Sequence, residues 1–154
     1  MRMFNADGSE GEMCGNAIRC VGKYVYDHGI CPKTELVVET LGGDKYLTLN
    51  VKDGKGFEVT VDMGEPELTS ELPEKIHVNG EDREFVGISV GNPHAVYFTE
   101  EIDGLDLEKI GPAYENHERF PNRVNSEFIE LVSRDHIRMR VWERGSGETW
   151  ACGT

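Results

Sequence analysis

The stretches GSEGEMCGN (Gly8–Asn16) and GSGETWACGT (Gly145–Thr154) carry one short pattern near opposite ends of the chain. With Cys14 laid on Cys152, Glu10 falls on Glu148 and Gly15 on Gly153, while the residues between them differ. This is not low complexity; it is one structural device used twice. The fold must therefore supply two similar settings for a cysteine. The element that succeeds the first copy is expected after the second as well.

A helix succeeds the first copy. Ala17, Ile18, Val21, Tyr24 and Val25 recur at steps of three and four, which marks one face of a helix over Gly15–His28. Gly29 stands where a left-handed residue would end it. After Pro32 the pattern turns to strands, over Glu35–Leu41 and Tyr46–Val51. Phe57, Val59, Val61 and Met63 then alternate with Glu58, Thr60 and Asp62. A turn-rich stretch runs from Gly64 to Pro73. Strands resume at Phe85–Val90 and Ala95–Phe98, and Leu107–His117 holds a short helix with Pro112 in its first turn. Ser126–Val132 and Ile137–Val141 complete an α+β order. By symmetry a second helix should begin at Gly153, next to the last residue given. MRMFNADG reads as a strand running into a loop, with no earlier element to pair with. The expectation is a stretch of a longer polypeptide.

The chain has 154 residues, room for one ordinary domain or two small ones, and 38% of them are hydrophobic. A net charge of -13 argues against nucleic acid and anionic membrane surfaces as partners. No apolar run approaches the roughly 20 residues that span a bilayer, and the N-terminus lacks the form of a signal peptide. The four cysteines are too few for a disulfide scaffold and read as thiols in a reducing, cytoplasmic setting.

The first turn of a helix offers unpaired N–H groups and the positive end of the dipole. It attracts a carboxylate and favours a thiolate over a thiol. Glycine after the cysteine lets a ligand approach the backbone. Two such sites facing each other would hold one carboxylate and flank its α-carbon with two sulfurs. One thiolate then removes the α-proton while the opposite thiol returns one, and no cofactor is needed. With each sulfur about 3–3.5 Å from the carbon, the two would lie roughly 6–7 Å apart.

Plainer readings stand beside this one. A lone cysteine is usually packing, and Cys20 and Cys31 are read so. Trp150 is read as core, and His28, His77, His117 and His136 as surface or packing residues. No Cys-x-x-Cys or His-x-x-x-His spacing occurs, so no metal site is expected. Neither G-x-G-x-x-G nor G-x-x-x-x-G-K is present.

NADGSEGEMCGNAIRC (Asn5–Cys20), GNPH (Gly91–His94), NRVNSEF (Asn122–Phe128) and ERGSGETWACGT (Glu143–Thr154) together resemble the diaminopimelate epimerase family, in consistent order over nearly the whole chain. The resemblance implies two pseudo-symmetric α/β domains, each a mixed sheet curled around a central helix. It implies a cofactor-independent isomerase that interconverts LL- and meso-diaminopimelate, working as a homodimer. Cys14 and Cys152 match the two acid/base positions. Gly15, Asn16, Gly153 and Thr154 match the groups that hold the reacting carboxylate. Asn5, Asn92, Asn125, Glu143 and Arg144 match positions that grip the substrate, and His94 and Glu143 match a pair that adjusts the cysteines' proton affinity. Against the family pattern, residues 1–56 are expected to be the second part of the N-terminal domain and 57–154 the first part of the C-terminal one. The seam is expected near Gly56, and the chain alone is expected to be inactive and to fold poorly.

Taken singly, Asn92 and Asn125 read equally well as turn residues, Arg144 as a solvated strand end and His94 as a structural histidine. Two rivals stay open. A related two-cysteine racemase would act on another amino acid, which a substrate panel separates. A non-catalytic amino-acid-binding module would need the helix starts but not the thiols.

Overall fold

The structure, a computed structural model, describes residues 1–153. Its contacts divide the chain into two units. The first comprises Met1–Phe4, Glu10–Glu65 and the residues from Gly153; the second comprises Asn5–Ser9 and Pro66–Cys152.

In the first unit, β1 (Met3–Phe4) pairs antiparallel with β2 (Glu10–Gly11), so the opening strand has its partner within the chain. α1 covers Gly15–Asp27, with His28 as its C-cap and Gly29 at φ +68, as the apolar spacing predicts. β3 (Glu35–Thr40), β4 (Gly43–Lys52) and β5 (Lys55–Asp62) form an antiparallel meander. Along β4, Lys45, Leu47 and Leu49 are buried while their neighbours are exposed, the period-two mark of a sheet covered on one face. Leu47 and Leu49 pack with Met13 and Ile18 of the helix segment. Lys23 Nζ bonds both Asp27 Oδ2 and Gly56 O at 2.6 Å, and Asp27 Oδ1 accepts from Gly56 N at 2.7 Å. That clasp, with the β4–β5 ladder, keeps β5 in the first unit. Along the chain, the boundary between the two contact units falls at Glu65/Pro66.

The second unit contains β6 (Glu67–Leu68), β7 (Glu74–Val78), β8 (Glu81–Ser89), β9 (Pro93–Phe98), α2 (Leu107–Glu115), β10 (Asn125–Ser133), β11 (His136–Glu143) and β12 (Gly147–Thr149). The sheet order is β12-β11-β10-β9-β8-β6, with β7 on the first half of β8. Strands β9 and β10 are parallel and joined by α2, and the remaining pairs are antiparallel, so the sheet is mixed. Residues alternate between its faces. Ala95, Tyr97, Phe128 and Trp142 form one core with Leu107 and Tyr114 of α2. The rings of Tyr97, Tyr114 and Phe128 lie 4.9–5.5 Å apart, two pairs edge-to-face and one stacked. The opposite face leaves Phe98, Leu131, Ile137 and Met139 exposed.

Three expectations need correction, and two strands add to what was expected. Pro112 lies in the second turn of α2, not the first; the Asp106 side chain caps the helix by accepting from Lys109 N. Trp150 is fully exposed and is not core. Cys20 is exposed, because its position on α1 turns away from the sheet. The strands β7 and β12 were not legible: β7 is half charged, and β12 is three residues bounded by glycine. No helix of the described residues is long and apolar enough to cross a membrane.

Candidate active site

In the first unit the chemistry gathers at the start of α1. Cys14 is the N-cap: its backbone is extended at φ -135, and its sulfur accepts from Ala17 N at 3.5 Å. Serine, threonine or aspartate more often fills this place. A thiol here stands against the N–H groups of the first turn, where negative charge is favoured. Gly15 and Asn16 come next, and Gly153 lies against both. A Cβ on Gly15 would come within 2.5 Å of Gly153 O, and one on Gly153 would strike the Asn16 amide. The absence of side chains at both glycines permits this approach. Thr154 lies outside the described residues.

In the second unit several of the candidate side chains share one face of the sheet. His94 on β9 pairs in register with Asn125 on β10. Glu127 is two residues further along β10 and pairs with Val141, which has the same parity as Glu143. His94, Asn125, Glu127 and Glu143 therefore project away from α2. Asn125 ties the strand ends together: its Nδ2 donates to Pro93 O at 3.1 Å and its Oδ1 accepts from Arg144 N at 2.9 Å. Glu143 accepts from Thr149 Oγ1 at 2.5 Å, and Arg144 donates to Asn122 O at 3.3 Å. Asn92 is buried.

Sequence reasoning missed Glu127. Its Oε1 lies 2.6 Å from His94 Nδ1, with both side chains under a tenth exposed. Burial pushes its carboxyl up, while the bond from His94 pulls it down. Sγ of Cys152 and one donor atom each of His94 and Glu127 lie within 4.8 Å of one another. Nitrogen, oxygen and sulfur together could attract a metal ion. However, two atoms bound to one tetrahedral ion at about 2.0–2.1 Å stand roughly 3.3 Å apart. At 2.6 Å, the His94–Glu127 contact has the spacing of a charge-assisted hydrogen bond.

A second missed group holds the loop 5–9. Arg123, at φ 62, donates to Asp7 Oδ2 at 2.8 Å, to Ser9 Oγ at 3.3 Å and to Glu115 Oε1 at 3.1 Å. Buried Glu115 also accepts from Gly145 N and Trp142 Nε1. Asp7 N donates to Gly145 O, and a Cβ on Gly145 would sit 2.8 Å from Asp7 Oδ1. Bonds from the Ser9 hydroxyl and N–H, then from Arg123, hold the Asp7 carboxyl well below the usual carboxylate range. This clasp seats Asn5, whose Nδ2 donates to Ser9 Oγ at 3.1 Å. The structure thus brings Asn5, Asn92, His94, Asn125, Glu143, Arg144 and Cys152 into one unit, and Cys14, Gly15, Asn16 and Gly153 into the other.

Residues 1–69 and 86–154 match the family model described as diaminopimelate epimerase. The chain is 52% identical to the diaminopimelate epimerase of Agathobacter rectalis, 54% to that of Desulfovibrio desulfuricans and 52% to one from Methanococcus maripaludis. Each match covers 100% of this chain and 60% of the relative. The chain thus spans about 60% of the length of these curated relatives. Among solved structures, a probable proline racemase from Agrobacterium radiobacter matches with a TM-score of 0.71 at 16% identity, and a hydroxyproline epimerase from Agrobacterium vitis with 0.70 at 18%. Each covers 91% of this chain and 48% of the other. At that identity the likeness is one of fold.

Proposed function

The chain belongs to the diaminopimelate epimerase family, and on that premise we propose that it supplies both acid/base thiols of a cofactor-independent epimerase of the relatives' full length. The reaction interconverts LL- and meso-diaminopimelate, on the way to lysine and peptidoglycan precursors. One cysteine of the Cys14/Cys152 pair starts as thiolate and takes the α-proton; the other starts as thiol and delivers a proton to the opposite face. A C–H bond breaks as one S–H forms, and the second S–H breaks as the new C–H forms. The two sulfurs therefore exchange states with each turnover. Their titration is coupled and belongs to the pair.

The α-proton is far less acidic than a thiol, so the developing carboxylate-enolate charge needs stabilisation. That role is assigned to Gly15 and Asn16 at the start of α1 and to Gly153, together with Thr154, which matches the family position and lies outside the described residues. Arg144 offers a planar fork for a carboxylate; Asn5, Asn92 and Asn125 offer donors and acceptors; Glu143 suits an ammonium. His94 and Glu143 adjust the proton balance of the thiols. The enzyme is read as a cytoplasmic homodimer. The observation that carries this reading is the thiol at the N-cap of α1, directly before a glycine that another backbone strand closely approaches.

The test is α-proton exchange of LL-diaminopimelate in D2O under reducing conditions, followed by NMR. This chain and a polypeptide of the relatives' full length would be compared. Exchange that is lost in both C14S and C152S supports the reading. Exchange indifferent to both substitutions overturns the two-thiol mechanism. Exchange of another amino acid alone assigns the site to a related racemase.

A further inference from the structure

We propose that Glu127 is a positioning residue, holding His94 so that its free ring nitrogen takes the proton of Cys152. The proposal rests on reading Cys152 as an acid/base thiol. It gives a role to Glu127, which lies within the NRVNSEF stretch and to which the resemblance assigns none.

Parallel pairing of β9 and β10 places Glu127 next along the sheet face from the register pair His94 and Asn125. The carboxylate reaches back to His94 Nδ1 at 2.6 Å, a charge-assisted distance. A carboxylate can only accept, so Nδ1 carries the proton and Nε2 of the neutral ring is left with its lone pair. Nε2 is buried and has no protein partner among the described residues, and the same holds for Glu127 Oε2. A buried base without a partner is costly unless something arrives to use it.

Cys152 is the candidate, since Sγ lies within 4.8 Å of donor atoms from both residues. The transfer breaks S–H and forms Nε2–H, giving a thiolate and an imidazolium. The positive ring stays paired with the Glu127 carboxylate, which makes the charge-separated state tolerable in a dry place. The other titratable groups near the pair are Glu143 on β11 and Tyr97 on β9. From β8 the residue opposite His94 is Ile88, which does not titrate. α2 presents Tyr114 and Glu115 to the other face of the sheet.

The test needs no substrate, so its failure is separable from failure of the epimerase reading. Alkylation of each cysteine by iodoacetamide would be followed by mass spectrometry across pH, in the wild type and in Glu127→Gln. Cys14, Cys20 and Cys31 serve as references in the same sample. Long-range 1H–15N correlation spectra of the His94 ring would report its tautomer and charge. The expected result is a Cys152 profile displaced upward by about one pH unit in Glu127→Gln. That corresponds to roughly tenfold slower alkylation below the midpoint, with Cys14 unchanged and His94 protonating at lower pH. Glu127→Asp, which keeps the charge but withdraws it, should fall between the two and serves if the glutamine variant does not fold. A Cys152 profile within twofold of wild type in these variants would overturn the proposal. A change shared by all four cysteines would mark a structural role and would overturn it equally.

Discussion

Arg2 and Arg140 each stand eight residues before a glutamate and grip it with two nitrogens, Arg2 on Glu10 at 2.7 and 3.0 Å and Arg140 on Glu148 at 2.8 and 3.0 Å. The repeated device is therefore longer than Glu-x-x-x-Cys-Gly; it begins at the arginine. Its two copies are supported very differently. Phe4 and Trp142 occupy matching positions, yet Phe4 is 59% exposed and Trp142 only 7%. The first copy hangs on the two-residue pairing of β1 with β2. The second is built into β11 and β12, at the edge of a broad sheet. The cysteines differ in the same way. Cys14 meets the N–H groups of a helix start, whereas Cys152 lies beside a buried imidazole and carboxylate. The lesson is that local sequence delivers a thiol to a defined place, while its surroundings choose its proton partner. Two unequal settings would suit the proposed reaction, which starts with one thiolate and one thiol.

The strongest way to break this comparison is to remove the thiols. In a protein of the relatives' length, C14S and C152S should each lower α-proton exchange by about 10²–10⁴-fold, the span of a lost general acid or base. If only one of them matters, the two copies are not functional counterparts. Next in size is packing. Trp142→Ala should cost about 3–5 kcal/mol, the usual loss for a buried large aromatic, and it also removes the indole donor to Glu115 Oε2. Phe4→Ala should stay within about 0.5 kcal/mol, as surface changes do. Chemical denaturation of both variants checks the contrast, and equal losses would contradict the difference in support.

The arginines sharpen it further. Arg140 also donates to Ile102 O and Leu105 O, so Arg140→Ala should cost about 1 kcal/mol. The exposed Arg2→Ala should leave the thermal midpoint unchanged. The smallest expected effects are those of pH. Burial holds the Glu127 carboxyl above its ordinary value of 4.5, so the folded chain keeps that proton to higher pH than the unfolded chain. Its contribution to stability is greatest below 4.5 and declines as pH rises toward the native value. Asp7 has the opposite sign. Its lowered carboxyl stabilises fully above 3.8, and that gain is lost as pH falls below it. Thermal midpoints measured against pH for Glu127→Gln and Asp7→Asn should each lose the corresponding slope.

Much of this molecule is set by local sequence. The period of three and four over residues 17–25 dictated α1, and strict alternation from Phe57 dictated β5, because each period leaves one face to bury. The same spacing of three and four placed Cys14 at the start of that helix; that its sulfur caps the first turn is seen in the structure. Residues such as Asn92, His94, Asn125, Glu143 and Arg144 were legible as short motifs on strand ends. What sequence could not supply was partnership between residues distant along the chain. Glu127 sits in an alternating strand and looks like its solvent-facing acid. Only the parallel register of β9 and β10 turns it inward onto His94, 33 positions away. Arg123 looks like a loop charge until the fold carries Asp7, 116 positions away, to its side chain. Trp150 looks like core until its position leaves it in solvent. Local sequence encodes which face an element must bury, because that depends on near neighbours alone. Which charged groups meet in the interior depends on register and on chain crossings, and only the tertiary structure decides those.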